Sequence, residues 1–287
     1  MNKSIEINYR DNDALRASFN ELAGKVFGLS FENWYQNGFW KDNYIPYSVV
    51  IDGKVVANVS VNRCDVSYNG ETKSLIQLGT VMTDPDHRGK GYARELMEKI
   101  IFDYEGKVDG MYLFANDSVT SFYPLFGFKE DKEYQFSKEV HIDNDKLVTP
   151  VPMNCKEDFD KMVNIFNERS QNAKMYMVNN SGLYMFYLSQ FMTESVYYLA
   201  DKDTYLIADI EGDTLILHAI IGDCDLETAV LTFGKEIKNV VLCFAPNDPN
   251  GYTKKELKEE DTTLFVRGDF FDKTWGDDVM FQSITHA

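Results

Sequence analysis

The spacing of apolar and polar residues predicts helices and antiparallel strands in the first half of the chain. Residues 14–22 have the pattern of a helix. Two apolar, β-rich runs at 47–51 and 54–61 flank Asp52-Gly53, a dipeptide that strongly favours a β-hairpin. At 93–101 the apolar residues recur at helical spacing and share one face, which predicts another helix.

The second half of the chain repeats this order of elements in outline. After a polar connection at 144–152, helical sequence at 157–192 precedes a hairpin at 204–221, and a helix at 225–234 leads to an apolar run at 240–245. The repetition predicts two copies of one fold. The expected class is α/β (α+β), with a mixed, largely antiparallel central sheet flanked by helices in each domain.

Composition and charge narrow the possible functions. The 287 residues include 46 acidic and 29 basic side chains, a net charge of −17, which argues against binding a nucleic-acid backbone. The charge is compatible with a cationic acceptor such as a polyamine or amino sugar, although acidic surfaces also serve solubility. No apolar run reaches the length of a membrane span, and no signal-peptide stretch is visible. We therefore expect a cytoplasmic protein without nucleic-acid or membrane partners.

The four cysteines give no sign of a metal site or a disulfide framework. They are far apart in sequence, with no Cys-x-x-Cys pair and no clustered histidines, so we expect free thiols and no metal. These residues are Cys64, Cys155, Cys224 and Cys243.

A glycine-rich basic segment, Arg88-Gly89-Lys90-Gly91-Tyr92-Ala93, lies where the helix at 93–101 is predicted to begin. Glycine lets a ligand approach the backbone closely, and the first turn of a helix offers free N–H groups and a partial positive charge. This combination predicts a cradle for a pyrophosphate group. The segment lacks the Ser or Thr of a Walker loop and the third small residue of a Rossmann fingerprint.

The segment resembles the acetyl-CoA motif of the GCN5-related N-acetyltransferases (GNAT), in which Arg or Gln, two residues, Gly, one residue, and Gly or Ala follow in order. Arg88, Gly91 and Ala93 match that pattern. A second family pattern, Asn…Tyr-x-x-x-Gly-Phe, is similar to Asn116, Tyr123 and Gly127-Phe128. The tandem arrangement resembles the enhanced-intracellular-survival acetyltransferases without their sterol-carrier-like domain.

The resemblance implies a division of the chain and a role for each motif. Residues 1–143 would be the catalytic domain with the acetyl-CoA loop, 144–152 a linker, and 153–287 a second GNAT-like domain that lacks the loop. The strand end would hold the pantetheine arm and polarise the thioester carbonyl, the loop amides would hold the pyrophosphate, Asn116 would contact the pantetheine, and Tyr123 would protonate the departing thiolate. The strand-end residues are Val81, Met82 and Thr83, and the loop residues are Arg88, Gly89, Lys90, Gly91, Tyr92 and Ala93.

The expected function is acetyl-CoA-dependent N-acetyl transfer, by direct attack of a small-molecule primary amine on the thioester. Two alternatives stay open: a non-catalytic acyl-CoA-binding sensor or scaffold, and a protein N-acetylase. A homo-oligomer is compatible with the sequence. For the general base the candidates are Glu32 and Asp42, and the resemblance to the survival-type acetyltransferases adds the terminal carboxylate of Ala287. The aromatic segment 32–40 forms either a wall of the acceptor pocket or a packed helix pair.

Overall fold

The structure is a computed structural model that describes residues 2–153, 155–276 and 278–286, and it contains two seven-stranded sheets and one three-stranded sheet. The strands are β1 (Lys3–Ile7), β2 (Tyr44–Ile51), β3 (Lys54–Arg63), β4 (Val66–Tyr68), β5 (Glu71–Lys73), β6 (Leu75–Thr83), β7 (Gly110–Ala115), β8 (Lys129–Glu130), β9 (Tyr134–Glu139), β10 (Thr149–Pro150), β11 (Met175–Met177), β12 (Val196–Leu199), β13 (Thr204–Glu211), β14 (Thr214–Ile221), β15 (Asn239–Leu242), β16 (Thr253–Glu256) and β17 (Thr263–Arg267). The helices are α1 (Asp13–Phe27), α2 (Glu32–Gln36), α3 (Tyr92–Tyr104), α4 (Lys156–Glu168), α5 (Ser181–Leu188), α6 (Leu226–Leu231) and α7 (Asp269–Lys273).

The first large sheet has the strand order β1-β2-β3-β6-β7-β17-β8. Its β2–β3 hairpin turns at Asp52 and Gly53, whose φ angles of +48° and +83° fit the predicted two-residue turn. All neighbours are antiparallel except β6 and β7, which pair over only three positions, from Leu75 with Gly110 to Gln77 with Tyr112. Both strands continue beyond that point, so they diverge and open the middle of the sheet.

The second large sheet has the order β10-β12-β13-β14-β15-β9-β16. Its one parallel pair, β14 with β15, runs from Thr214 with Asn239 to Leu217 with Leu242, and β14 then continues to Ile221. The chain thus has a mixed α/β fold with two sheet-bearing domains, as the sequence pattern predicts.

The two sheets exchange strands. β9 precedes residue 143 in the chain but belongs to the second sheet, whereas β17 comes from the C-terminal part and lies between β7 and β8 of the first. The buried residues Leu264, Phe265 and Val266 explain this insertion, because they complete the core on both faces of the first sheet. The predicted division at residues 143/144 therefore does not coincide with the division between the sheets, and the predicted linker contains β10.

Three layers of apolar side chains surround the sheets. On one face of the first sheet, α3 buries Leu96, Met97 and Ile100. On one face of the second sheet, α6 buries Ala229 and Val230. The remaining core lies between the two sheets and combines α1 and α2 with α4, α5 and the C-terminal segment. Across the described ranges, no helix has both the length and the apolar character that crossing a bilayer would require.

A buried carboxyl group, that of Glu133, joins the chain before β9 to the C-terminal segment. Its Oε1 accepts a hydrogen bond of 2.7 Å from the backbone N–H of Phe281. Burial raises the pKa of Glu133 from 4.5 to about 8 against the effect of that hydrogen bond. Between these two pH values the unfolded chain loses this proton while the folded chain keeps it, so stability falls as the pH rises.

Replacement Glu133→Gln is therefore expected to increase the free energy of unfolding by about 1–3 kcal/mol at pH 8, with the gain shrinking toward pH 4.5. The amide oxygen can still accept from Phe281. Denaturant unfolding across this pH range measures the effect, and the exposed neighbour Glu130→Gln is the control. If the gain of Glu133→Gln over the native chain did not change with pH, Glu133 would not hold its proton in the folded protein.

Candidate active site

The loop between β6 and α3 is held open by its own hydrogen bonds. The carboxylate of Asp84 accepts from the backbone N–H of Asp86 at 2.9 Å and from Lys25 Nζ at 2.8 Å. The Lys25 bond, followed by the Asp86 bond, keeps the pKa of Asp84 below its usual value. Gly89 and Gly91 have φ angles of +75° and +80°, in the left-handed region that glycine adopts without strain.

The N-terminus of α3 presents unpaired backbone donors. Its N-cap is Gly91, and no side chain caps it. Within the described ranges, the N–H groups of Tyr92, Ala93 and Arg94 have no hydrogen-bond partner, because the first intrahelical bond is from Glu95 to Gly91. No described heavy atom lies within 4 Å of the position that a Cβ on Gly91 would take. The loop can thus receive an anion against the positive end of the helix dipole.

A bulge in β6 turns backbone groups away from the sheet. Thr80 has a φ of +47°, and the pairing shifts so that Thr80 and Val81 lie opposite Val59 alone. A β-branched residue in this region is strained, and two contacts hold it. Asn58 Nδ2 donates to the Thr80 carbonyl at 2.9 Å, and the hydroxyls of Tyr44 and Thr80 share a hydrogen bond of 2.7 Å.

A cavity of about 710 Å³ lies in the opening between β6 and β7. The predicted site residues that line it are Val81, Met82, Thr83, Arg88, Ala93, Asn116 and Tyr123. The other predicted loop residues, Gly89, Lys90, Gly91 and Tyr92, lie between Arg88 and Ala93 but outside this lining. The two sequence motifs therefore meet at one cavity in the fold, and the roles assigned to their residues stay predictions.

Tyr123 lies at the start of a short 3-10 turn, Tyr123–Phe126, and its ring is 4% exposed. The rings of Phe122 and Phe265 lie 5.4 and 5.6 Å from it, centroid to centroid. Within the described part of the chain the hydroxyl has no hydrogen-bond partner, and burial raises its pKa to about 12. The phenol is consequently protonated at neutral pH and able to give up its proton to a group in the cavity.

The side-chain amide of Asn116 is already engaged with the C-terminal part of the chain. Its Nδ2 donates to the Asp261 carboxylate at 2.8 Å, and the backbone N–H of Asp117 donates to the same carboxylate at 2.7 Å. The predicted contact of Asn116 with pantetheine would therefore use its carbonyl oxygen, unless Asp261 moves.

The candidate bases taken from sequence do not reach the cavity lining. Glu32 holds Arg16, with 3.1 Å between Oε2 and Nε, and Asp42 is an exposed partner of Arg10 at 2.8 Å. Ala287 lies outside the described residues. Its neighbour His286 does line the cavity, and sequence reasoning did not assign it to the site. The His286 ring stacks on Phe114 at 3.7 Å, and burial lowers its pKa to about 4, so it is neutral at pH 7.

Further lining residues come from α5, in the second domain, and sequence reasoning did not assign them. Leu183, Phe186 and Tyr187 contact the cavity beside Phe31 and Trp34 of the first domain. A signal was present, because the sequence Leu183-Tyr-Met-Phe-Tyr-Leu188 is apolar on every side of the helix, a pattern typical of complete burial between layers. For segment 32–40, Trp34 lines the cavity while Phe39 and Trp40 pack in the core.

The corresponding opening in the second sheet is filled by the chain itself. Beyond the β14–β15 pairing, Ile221 bridges to Gln171, and the backbone N–H of Ser283 donates to the carbonyl of Cys243 at 3.2 Å. The turn before α6 also differs, because the Asp225 carboxylate caps the helix by accepting from Thr228 N–H at 2.8 Å. A carboxylate at that position repels phosphate, so this domain offers no second cradle.

Comparison with known families and structures agrees with these features. A family profile described as an acetyltransferase (GNAT) domain matches residues 12–130. No curated protein matches the sequence.

Several solved structures share the two-domain fold. A conserved protein from Enterococcus faecalis V583, described as a probable N-acyltransferase, is 15% identical with a TM-score of 0.61 over 95% of this chain and 75% of its own. A GCN5-related N-acetyltransferase from Kribbella flavida is 15% identical, with a TM-score of 0.56 over 93% and 72%. Eis1 from Mycobacterium abscessus is 12% identical, with a TM-score of 0.56 over 92% and 73%. At these identities the likeness concerns the fold.

The β6 bulge generates a test of the site geometry. Asn58→Ala removes the donor to the Thr80 carbonyl, and an unpaired buried carbonyl costs about 1–3 kcal/mol of stability. Under the acyl-transfer function proposed below, the bulge would also shape the reacting site, so we expect kcat for thioester consumption to fall about 10-fold or more. Asn62→Ala, a buried asparagine on the same strand without a contact to the bulge, is the control. If the two variants had equal kcat values, the bulge would have no role in catalysis.

Proposed function

We propose that the protein is an acetyl-CoA-dependent N-acetyltransferase that acts on a small-molecule primary amine, because residues 12–130 match a family profile described as an acetyltransferase (GNAT) domain. The observation that carries this proposal is the cavity between the diverging strands β6 and β7, which brings the α3 N-terminus, the β6 bulge and the Tyr123 phenol together. Each of these groups matches one requirement of acyl transfer from a thioester.

The residues around the cavity fit acetyl-CoA, the acetyl donor. Acetyl-CoA supplies an acetyl group as an activated thioester. The free N–H groups of Tyr92, Ala93 and Arg94 would hold its pyrophosphate, and Arg88 adds a positive charge on the cavity wall. The end of β6 from Val81 to Thr83, released from its neighbour β7, would pair with the amide groups of the pantetheine arm as an added strand does.

Tyr123 would complete the chemistry as a general acid. In the overall reaction a C–N bond forms and a C–S bond breaks, and the neutral amine gives up one proton. Tyr123 Oη would deliver a proton to the departing sulfur, and its phenolate would recover one by way of the amine or water. Because burial raises the pKa of Tyr123 to about 12, the phenol is protonated throughout the neutral range.

The second domain would act on the acceptor side. Its helix α5 supplies Leu183, Phe186 and Tyr187 to the cavity, while its own opening is filled. We place this reaction in the cytoplasm, where acetyl-CoA is available; the four cysteines are all free thiols.

The role of Tyr123 is tested by Tyr123→Phe, which keeps the packed ring and removes the hydroxyl. We expect kcat to fall about 100-fold or more, since general acid catalysis contributes about 10²–10⁴. The Kd for acetyl-CoA should stay unchanged in calorimetry, and Tyr134→Phe, on the second sheet, is the control. An unaltered kcat in Tyr123→Phe would remove this residue from the mechanism.

The cradle is tested by Gly91→Asp, which adds a carboxylate at the N-terminus of α3. Repulsion of the pyrophosphate should weaken acetyl-CoA binding about 10-fold or more, equivalent to about 1.4 kcal/mol. Gly70→Asp is a matched control, because Gly70 has a φ of +81° and, like Gly91, no described atom within 4 Å of a Cβ. The cradle assignment fails if both variants bind acetyl-CoA as the native chain does.

A further inference from the structure

One side of the cavity is lined by aromatic residues from both domains; those of the first domain are 2–4% exposed, and those of α5 are half-buried. We call it the aromatic wall: Phe31, Trp34, Tyr44, Phe186 and Tyr187. The Phe186 ring lies 5.2 Å from that of Phe31 and 5.6 Å from that of Trp34. These contacts fix the wall as a rigid layer across the domain boundary.

The polar atoms of the aromatic wall are already used within the protein. Trp34 Nε1 donates to the carbonyl of Gly182 at 2.8 Å, and the Tyr44 hydroxyl is bonded to Thr80. The Tyr187 hydroxyl donates to the carbonyl of His286. A molecule beside the wall therefore meets mainly carbon surfaces, because the polar atoms of these side chains already have hydrogen-bond partners within the protein.

The wall is also not arranged as a cage for a cation. Binding of an ammonium group over aromatic rings needs several ring faces directed at one point. Here the Phe31 ring stacks with Tyr44 at 5.8 Å and with Phe186 at 5.2 Å, with interplanar angles of 24° and 19°. Since Phe31 stacks with two neighbouring rings and is only 4% exposed, it offers little ring face to a cation.

The charges of the lining residues also argue against an acceptor with several ammonium groups. Among the described residues that line it, Arg88 is the one with a permanent charge, and no carboxylate is present. The His286 ring is neutral at pH 7. An acceptor with several ammonium groups would bury its additional charges beside a cation, without a partner, which is strongly unfavourable.

From these observations, and resting on the function proposed above, we infer that the acceptor is a monoamine with an apolar, aromatic body, of the arylalkylamine class. Its ring lies against the aromatic wall, and its single amino group faces the β6 bulge and Tyr123. Acetyl-CoA and this amine give the N-acetylarylalkylamine and coenzyme A, with a C–N bond formed, a C–S bond broken and the amine proton balanced by the thiol.

The same surroundings prepare the amino group for reaction. Removal from water disfavours the charged form of an amine, so burial beside the wall lowers its pKa and releases the proton to solvent. The neutral nitrogen then has the lone pair that attack requires. The amine can therefore lose its proton without Glu32 or Asp42, which are both absent from the described lining.

The inference is tested with the full-length protein and a panel of 2-phenylethylamine, tryptamine, n-butylamine, spermidine and kanamycin. Thiol release with acetyl-CoA gives kcat/KM, and calorimetry with each amine alone gives Kd without turnover. We expect 2-phenylethylamine and tryptamine to exceed spermidine and kanamycin by about 100-fold in kcat/KM. Equal or greater kcat/KM for the polyamine or the aminoglycoside overturns the inference and leaves the proposed function standing. Acetyl-CoA binding with no transfer to any amine overturns both.

Two variants of Phe186, a half-buried residue of the wall, test the assignment directly. Phe186→Ala should raise Kd and KM for 2-phenylethylamine about 10-fold and leave the Kd for acetyl-CoA unchanged. Phe186→Asp should reverse the preference between 2-phenylethylamine and spermidine, because it supplies the missing carboxylate. Phe102→Ala, at an 80% exposed residue outside the cavity lining, is the control for both. If Phe186→Ala and Phe102→Ala gave the same Kd for 2-phenylethylamine, the wall would not bind the acceptor.

Discussion

The structure depends on the short pairing between the parallel strands β6 and β7. β6 and β7 are parallel neighbours for three positions, and in the described part of the chain their pairing ends at Gln77 and Tyr112. Backbone groups left in such an opening must find other partners, because unpaired buried N–H and C=O groups are costly. In the first sheet this opening contains the bulge at Thr80 and the cavity, and the proposed function assigns its backbone groups to acetyl-CoA. The position of the site follows from where two strands part.

The second domain shows the alternative solution to the same constraint. β14 and β15 also part, yet Gln171 and Ser283 of the chain occupy the gap, and Asp225 neutralises the helix that follows. The first domain thus has a cavity at the place where its strands part, and the second domain has a filled opening. The second domain still contributes to the cavity, since its helix α5 forms part of the aromatic wall. The asymmetry comes from a few side chains at the openings and not from the sheets themselves.

Local interactions explain what the sequence could predict. The Asp52-Gly53 hairpin and the helix following Gly91 are each determined by neighbours in the chain, and the structure contains both. The insertion of β17 beside β7 and the approach of Phe186 to Phe31 join residues more than 140 positions apart. No periodicity within one segment encodes such contacts. The motifs could therefore locate the loop and Tyr123, but not the C-terminal strand that supports the Tyr123 ring or the wall opposite it.

The exchange of β9 and β17 has a consequence for how the protein is made. A ribosome synthesises the chain from the N-terminus, and domains generally fold as units once their residues have emerged. Here the first sheet lacks a central strand until Arg267 has left the exit tunnel, and the edge of β7 is unpaired until then. An exposed strand edge is prone to pairing with other chains. The edge of β7 is consequently open to pairing with other chains from the time Ala115 emerges until Arg267 does.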